Sequence, residues 1–280
     1  MKLAVTGIHG NIGSVLVQRG AIPLDVDITD LDDVRRAIEK ASPDIVINTA
    51  SKSKPDWCEK NEDEALKVNF NGAMNVAFVT QNLDIPMVAL STDHVFSGSL
   101  KITHTGIVRG GPYSENYMRT WPVNYYGMTK LGMEAGTDIF THVKVVRTSN
   151  CFWIDDPRVG WYIQEVQKRD KVPVPTFQYR SFMHREHFCR NLETYCHEFD
   201  RMPKILHLSG SETINWYDFV KEFARAIGMP EKTISKFKKK RFDEKGKFIA
   251  ERPKKVGLKT DLSKTLGFPQ YSYKDGLKLL

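Results

Sequence analysis

Short apolar segments alternate with longer amphipathic segments along the first half of the chain. The apolar segments that have the length of buried strands are residues 2–6, 44–49, 86–91 and 143–147. Apolar residues at helical spacing predict helices over residues 11–19, 62–82 and 123–140. Because strands that alternate with helices are joined by right-handed crossovers, this pattern predicts the α/β class with a doubly wound parallel sheet.

The pattern changes after Asn150, where the regular alternation ends. Helices are predicted near residues 161–169 and 185–199, a strand over 204–210, and a further helix from the N-cap Asn215 to a stop at Gly228. We expect residues 1–150 to form the sheet domain, to which 185–210 return. Residues 151–184 and 211–280 are expected to form a smaller mixed lobe.

Composition and charge narrow the class of protein only slightly. The 280 residues are 41% hydrophobic and 27% charged, which is typical of a soluble globular chain. The formal net charge is +7, and the excess is concentrated in a basic run near residues 236–248. Because such a run is more often a solvated surface, and no nucleic-acid-binding motif surrounds it, we expect no nucleic-acid partner.

Cysteine usage and hydropathy indicate the compartment. The four cysteines form no CxxC pair and have no metal-ligand spacing, which favours a reducing compartment and no metal site. The first residues contain no signal-peptide pattern, and no segment approaches the roughly 18 continuous apolar residues of a membrane span. We therefore expect a cytoplasmic protein that does not cross a membrane.

The stretch "KLAVTGIHGNIG" places three glycines between the first strand and the first helix. Gly7 permits a tight turn, Gly10 lets backbone approach a pyrophosphate, and Gly13 lets the helix pack closely on the strand. The helix N-terminus adds amides and the positive end of its dipole. The loop predicts a dinucleotide site formed by Gly7, His9, Gly10, Asn11, Ile12 and Gly13.

The element that normally follows this helix is reduced. A dinucleotide-binding sheet usually continues into a full second strand, near whose end an acidic residue reads the adenosine ribose. Here Gly20 leads within a few residues into "IPLDVDITD", followed by the helix "LDDVRRAIEKA". The sequence therefore predicts a sheet with a shortened or missing second strand.

A tyrosine and a lysine form a second candidate for chemistry. Tyr126 and Lys130 in "NYYGMTK" are four residues apart and share one helix face, whereas Tyr125 is five residues from the lysine. A free tyrosine has a pKa of about 10. A nearby ammonium, together with an oxidised nicotinamide, would lower that pKa towards a range useful in acid–base catalysis.

The stretch "LSTDHVFSG" lies at the carboxyl end of a predicted strand, where open parallel sheets bind ligands. Thr92 can hydrogen-bond a substrate carbonyl, and Asp93 can bind a sugar hydroxyl or position a water molecule. Serine, threonine and aspartate are also ordinary turn formers after a strand. Both interpretations of this stretch remain open on the residues alone.

Together, the glycine loop, Thr92 and the Tyr-Lys pair resemble the extended short-chain dehydrogenase/reductase superfamily. Further motifs are similar to those of the dTDP-4-dehydrorhamnose reductase (RmlD-like) family: "STDHVFSG", "GPYSE", "PVNYYGMTKLGME", "RTS", "HLSGSETINWYDF" and "ERPKKVGLKTDLSKTLG". The resemblance covers nearly the full chain. It implies a Rossmann NAD(P)-binding domain and a smaller substrate-binding lobe.

The resemblance implies that Thr92, Tyr126 and Lys130 form a catalytic triad for reduction of a nucleotide-activated 4-keto-6-deoxy sugar. Hydride would pass from a reduced nicotinamide to C4. Tyr126 would protonate the nascent alkoxide, Thr92 would hydrogen-bond its oxygen, and Lys130 would hold the nicotinamide ribose. This chemistry needs no metal.

The resemblance also implies contacts outside the glycine loop. The residues that would border the cofactor are Asp27, Ile28, Ala50, Ser51, Lys52 and Asn69, with Asn69 alternatively an ordinary polar residue of its helix. Trp153 and Arg180 would join Asp93 in the substrate pocket, because an aromatic plane stacks on a base and a guanidinium binds a diphosphate.

Three features depart from the family pattern. His94 stands where the family usually has a tyrosine, and the segment over residues 99–110 is longer than usual. If "DITD" belongs to the third strand, no acidic residue is left to reject the 2′-phosphate of NADP. NADP is then permitted, and we expect it slightly in preference to NAD. If Asp25 or Asp27 binds the ribose instead, NAD is favoured.

Two other functions remain open. One is a different nucleotide-sugar epimerase/reductase or dehydratase, which would share the triad. The other is a non-catalytic regulatory protein, because the beta subunit of methionine adenosyltransferase resembles the same reductase family. The full triad favours catalysis, the reduced second strand favours regulation, and whether the chain forms a homodimer is also left open.

Overall fold

The computed structural model of the protein describes residues 1–99, 101–103, 106–108, 110–118, 120–156, 172–229, 234–237 and 250–280. Its strands are β1 (Leu3–Thr6), β2 (Ile22–Leu24), β3 (Ile45–Asn48), β4 (Met87–Thr92), β5 (Lys101–Thr103), β6 (Gly106–Val108), β7 (Val143–Thr148), β8 (Cys151–Phe152), β9 (Val172–Pro175), β10 (Tyr179–Arg180), β11 (Met183–His184), β12 (Ile205–His207), β13 (Ile214–Asn215) and β14 (Ile234–Phe237).

The described helices lie between and after these strands. They are α1 (Gly13–Gln18), α2 (Leu31–Ala41), α3 (Pro55–Cys58), α4 (Glu62–Leu66), α5 (Ala73–Asn82), α6 (Tyr125–Thr137), α7 (Arg185–His197), α8 (Trp216–Ala226), α9 (Asp261–Thr265) and α10 (Tyr273–Leu277). A π-helical turn, Lys67–Gly72, joins α4 to α5, and short 3₁₀ turns cover Asp93–Val95 and Phe199–Arg201.

Six strands form the central sheet, in the order β12–β7–β4–β3–β1–β2, and every pairing within it is parallel. Alternate strand residues point to opposite faces. One face packs Val5, Ile47 and Val88 against Leu16 of α1 and Phe188 of α7. The other packs Ala4, Val46 and Ala89 against Ile38 of α2, Val76 of α5 and Met133 of α6. The predicted doubly wound parallel sheet is confirmed.

The shortened second strand is confirmed as well, and the structure shows which strand is lost. β2 has three residues and pairs directly with β1, with Ala4 opposite Ile22 and Thr6 opposite Leu24. Residues 1–99 are all described, and none of them forms a strand that pairs with the other edge of β2. Of the two alternatives for "DITD", the third strand is excluded, because residues 27–30 form the turn between β2 and α2.

The second half adds small two-stranded sheets around an aromatic cluster. β8 pairs with β11, β9 with β14, and β10 with β13. Phe182 stacks on Phe219 with a centroid distance of 3.7 Å, and Phe152 meets Phe219 edge-on. This cluster builds the hydrophobic core of the region that follows β7.

Helix boundaries in the second half follow local chemistry. The side chain of Asn215 caps α8 by accepting the amide of Asp218 at 2.9 Å, and Gly228, with a φ of +74°, follows its end. The helix predicted near residues 161–169 and most of the basic run near 236–248 lie outside the described residues. Among the described helices, none has the length and apolar character needed to cross a membrane. The division into two domains stays a prediction.

Candidate active site

The carboxyl ends of β1, β3 and β4 lie at one edge of the sheet, and the glycine loop follows β1. Gly7 has a φ of +68°, and a Cβ atom there would lie 2.6 Å from the backbone nitrogen of Ala50. A Cβ atom on Gly13 would lie 2.3 Å from the carbonyl oxygen of Gly7. Only glycine fits at these two positions, so the loop wraps tightly against the segment that follows β3.

The other loop residues surround this turn. The amide of Gly10 donates to the carbonyl of Gly7 at 2.9 Å, which closes the loop. Asn11 is exposed, and Ile12 precedes α1 without making a side-chain capping bond. His9 is also exposed, and its Nε2 lies 3.2 Å from Oδ1 of Asp25. The loop therefore presents backbone and small side chains at the start of α1.

Asn69 holds the segment after β3 against α6. It lies in the π-helical turn and is 1% exposed. Its Oδ1 accepts the Ser51 hydroxyl at 2.9 Å and the Lys52 amide at 2.7 Å, while its Nδ2 donates to Lys52 O at 3.1 Å and to Thr129 Oγ1 at 2.9 Å. π-helical turns often occur at functional sites, and this one aims a carboxamide into the space between the two segments.

The three residues predicted as a triad come together from β4 and α6. Thr92 ends β4, and Asn124 begins α6 by accepting the Gly127 amide at 2.9 Å. That cap starts the helix so that Tyr126 lies in its first turn and Lys130 one turn later. The Tyr126 hydroxyl hydrogen-bonds with the hydroxyls of Thr92 and Ser51. Lys130 is buried and Tyr126 is partly buried.

Burial controls the protonation of this group. It raises the pKa of Tyr126, and the hydrogen bonds with Thr92 and Ser51 offset the rise only in part. Burial also lowers the pKa of Lys130 to about 8, against the opposing effect of the Glu134 carboxylate. The predicted lowering of the Tyr126 pKa is therefore not produced by the protein's own groups. The phenol is protonated at neutral pH, which is the state that a proton donor requires.

Two predicted substrate residues bind each other. Nε of Arg180 lies 3.6 Å from Oδ2 of Asp93, and the Ser149 hydroxyl donates to the same oxygen at 2.7 Å. Arg180 and Asp93 are 2% and 1% exposed. Burial lowers the pKa of Arg180, and the neighbouring Asp93 carboxylate opposes this. Asp93 thus holds a buried guanidinium next to Thr92.

Trp153, the third predicted substrate residue, lies beside the start of α7. Its ring is 5.0 Å from the guanidinium carbon of Arg185 and is almost buried. This is the geometry of a cation–π contact. The stacking of Trp153 on a nucleotide base stays a prediction.

The residues predicted to border the adenine differ in what they offer. Ile28 packs its side chain into the core, where it fills the space beside Gly72. Asp27 accepts both the amide and the hydroxyl of Thr29, at 2.9 and 2.8 Å. These two bonds lower the pKa of Asp27. Its carboxylate therefore shapes the turn into α2.

His94 is packed against the candidate proton donor. Its ring meets the Tyr126 ring edge-on at 5.5 Å, and its Nδ1 lies 3.1 Å from Nδ2 of Asn124. Because the amide group donates, Nδ1 is the acceptor and the ring proton sits on Nε2. Burial, with Arg180 and Arg252 nearby, lowers the pKa of His94 and keeps the ring neutral.

Sequence reasoning missed the ion pair between Arg252 and Asp56. Arg252 lies in "ERPKK", and its Nη1 and Nη2 bind the two carboxylate oxygens of Asp56 in α3, each at 2.9 Å. The charge of Arg252 lowers the pKa values of Arg180 and His94. The arginine of "ERPKK" was the only available signal, since nothing local identifies its partner. Arg252 and Arg180 are thus each paired with a carboxylate, Asp56 and Asp93.

A family model described as the RmlD substrate binding domain matches residues 1–280. The chain belongs to this family. The dTDP-4-keto-6-deoxy-D-glucose reductase of Streptomyces niveus is 37% identical over 145 residues, which are 48% of this chain and 47% of that protein. The chain thus matches about half the length of curated relatives such as this one.

Solved RmlD-family structures match over almost the whole chain. A dTDP-4-dehydrorhamnose reductase from Clostridium acetobutylicum is 26% identical with a TM-score of 0.85, covering 99% of this chain and 97% of that one. One from Bacillus anthracis, in complex with NADP, is 25% identical with a TM-score of 0.83 and covers 99% and 98%. The beta subunit of mouse methionine adenosyltransferase 2 is 24% identical over 90% of this chain and 74% of that protein.

Proposed function

We propose that the protein is an NAD(P)H-dependent reductase of a nucleotide-activated 4-keto-6-deoxy sugar, in which C4 receives a hydride and Tyr126 supplies the proton. The observation that carries the proposal is the hydroxyl cluster of Tyr126, Thr92 and Ser51 beside the buried Lys130. A reductase needs a proton donor at the ketone oxygen, and a phenol with a raised pKa keeps its proton until the oxygen becomes basic.

Each residue of the site has a distinct task in this proposal. Tyr126 donates its proton to the oxygen at C4, and the Thr92 hydroxyl hydrogen-bonds the same oxygen. Ser51, held by Asn69, fixes the phenol on its other side. Arg180, with Asp93 as its buried counter-ion, is suited to bind the diphosphate of the substrate.

The glycine loop fits a dinucleotide. Side chains at positions 7 and 13 would collide with backbone, so the loop is a cradle that only a bare backbone can form. When bound there, a reduced nicotinamide dinucleotide supplies the hydride. Gly7, Gly10 and Gly13 would hold its pyrophosphate, and Lys130 its nicotinamide ribose.

A spectrophotometric assay tests the proposed function. Oxidation of NADH and NADPH is followed with a panel of nucleotide-linked 4-keto-6-deoxy sugars, and turnover is expected with at least one of them. Dinucleotide binding without turnover of any panel member would refute the reductase. That outcome would favour the regulatory alternative, which the similarity to the methionine adenosyltransferase beta subunit supports. Products from dehydration or epimerisation would identify the other enzymatic alternative.

The pH dependence of the reaction follows from Lys130. Its ammonium is charged below its pKa of about 8 and is lost above it, while Tyr126 keeps its proton because its pKa is raised. We therefore expect kcat/KM to fall as the pH rises through about 8. Arginine stays charged to a far higher pH than lysine. In Lys130→Arg, the alkaline limb, which is the fall of kcat/KM at high pH, should therefore move to a pH about one unit higher or more. A limb that stays at the same pH in this variant would belong to another group.

The location and assembly of the protein stay predictions. Formation of a homodimer is checked by measuring the mass of the protein in solution by light scattering.

A further inference from the structure

The loss of the outer strand changes which residue stands at the edge of the dinucleotide site. β2 pairs with β1 so that Leu24 is opposite Thr6. The next residues along the chain are Gly7 and Asp25, so Asp25 follows the end of β2 where Gly7 follows the end of β1. Gly7 opens the glycine loop, so the Asp25 carboxylate is beside the start of the dinucleotide cradle.

This is the place from which parallel nucleotide-binding sheets read the adenosine ribose. An acidic residue there accepts hydrogen bonds from the ribose hydroxyls of NAD, whereas an NADP site accommodates the 2′-phosphate with an arginine. β2 is only three residues long, yet it brings a carboxylate to that position.

The contacts of Asp25 leave it able to accept hydroxyls. Its Oδ1 lies 3.2 Å from Nε2 of His9, and the two side chains are 74% and 83% exposed. This contact ties the carboxylate to the glycine loop, and among the described residues Oδ2 makes no hydrogen bond. In the described part of the chain, no lysine or arginine nitrogen lies within 4 Å of the Asp25 carboxylate. A 2′-phosphate at this point would meet a negative charge without a lysine or arginine from the described residues beside it.

Asp27, the other acidic candidate, is differently placed. Its Oδ1 accepts two hydrogen bonds from Thr29, and its own amide donates to Asp33 at 3.2 Å. Lys67 and Lys52 stabilise its charged form. It therefore belongs to the turn into α2, two residues beyond the position level with Gly7.

We infer that Asp25 is the residue that selects the dinucleotide, and that this protein uses NAD(H) in preference to NADP(H). The inference rests on the proposed function, and it reverses the lean towards NADP taken from the sequence. The RmlD-family protein of Bacillus anthracis was solved with NADP, so the inferred preference sets this chain apart from that relative.

Direct binding tests the inference without any sugar substrate. Dissociation constants for NADH and NADPH are measured by calorimetry on the full chain, and NADH is expected to bind about tenfold more tightly, the scale of one charge-assisted hydrogen bond. Asp25→Asn removes the charge with little change of shape and should reduce the ratio to about threefold or less. Asp32→Asn, which removes an equal charge from an exposed position of α2, should leave the ratio as in the wild type.

The outcomes separate the inference from the proposed function. Equal or tighter binding of NADPH by the wild type would overturn the inference and leave the reductase standing. So would a ratio that is unchanged in Asp25→Asn while its circular dichroism matches the wild type. Failure of both nucleotides to bind the wild type would remove the proposed function as well. ADP-ribose and its 2′-phosphate, titrated in the same way, place the effect on the adenosine half of the ligand.

Discussion

Replacing Tyr126 with phenylalanine is expected to lower kcat by about a hundredfold or more, the usual scale for the loss of a general acid. The phenylalanine ring keeps the edge-on contact with His94, whose ring centroid lies 5.5 Å from that of Tyr126. It loses the hydroxyl that meets Thr92 and Ser51. The measurement is kcat with the best sugar of the panel, together with the dissociation constant of the dinucleotide, which should change little.

The chain supplies a matched control in the neighbouring tyrosine. Tyr125 precedes Tyr126 in the same first turn of α6, but the carboxylates that act on it are Glu62 and Asp63 rather than Asp93. It therefore lies on the side of α4, away from the hydroxyl cluster. Tyr125→Phe should retain wild-type kcat, and an undiminished kcat in Tyr126→Phe would show that another group donates the proton.

Loss of the Glu134 carboxylate is expected to have the largest effect on stability. Arg147 Nε and Nη2 donate to the two oxygens of Glu134, at 2.9 and 2.6 Å, and the Ser91 hydroxyl donates to one of them. All three residues are 5% exposed or less. Glu134→Gln leaves a buried guanidinium without its counter-ion, so the free energy of unfolding should fall by about 3–5 kcal/mol. Urea unfolding measures it.

A second ion pair has the same two-nitrogen geometry but is more exposed, so it tests how much of the lost stability depends on burial. Arg19 also binds Glu193 through two nitrogens, at 2.8 and 2.6 Å, but these side chains are 29% and 21% exposed. Glu193→Gln should therefore cost about 1 kcal/mol or less. The paired replacement Glu134→Leu with Arg147→Met should recover most of the loss, because no unpaired charge remains. Equal costs for the two single variants would contradict the argument.

Sequence patterns predicted the structure correctly where it depends on residues that are close together in the chain. The spacing of Tyr126 and Lys130 predicted a shared helix face, and the helix begins where Asn124 can cap it. The predicted helix over residues 62–82 is broken by the π-helical turn, Lys67–Gly72. Apolar periodicity could not show this, because the turn depends on bonds from Asn69 to Lys52 and Thr129.

Contacts between distant segments escaped sequence reasoning. Arg252 and Asp56 are 196 residues apart, and the sequence around either residue does not predict the other as its partner. Asp93 and Arg180 were both predicted to face the substrate, but their ion pair with each other was not predicted. The sequence predicted the short second strand. Its place next to β1 is known only from the strand pairing in the structure, in which Leu24 lies opposite Thr6.

The short β2 strand also bears on how the sheet ends in solution. Losing the outer strand makes β2 the edge, and an exposed edge is a template on which another chain can add a strand and aggregate. Here the template is poor, because it offers three residues and the middle one, Pro23, is exposed and has no amide hydrogen to donate. Asp25 places a negative charge directly after it. The strand that shortens the sheet therefore also protects its new edge from pairing with other molecules.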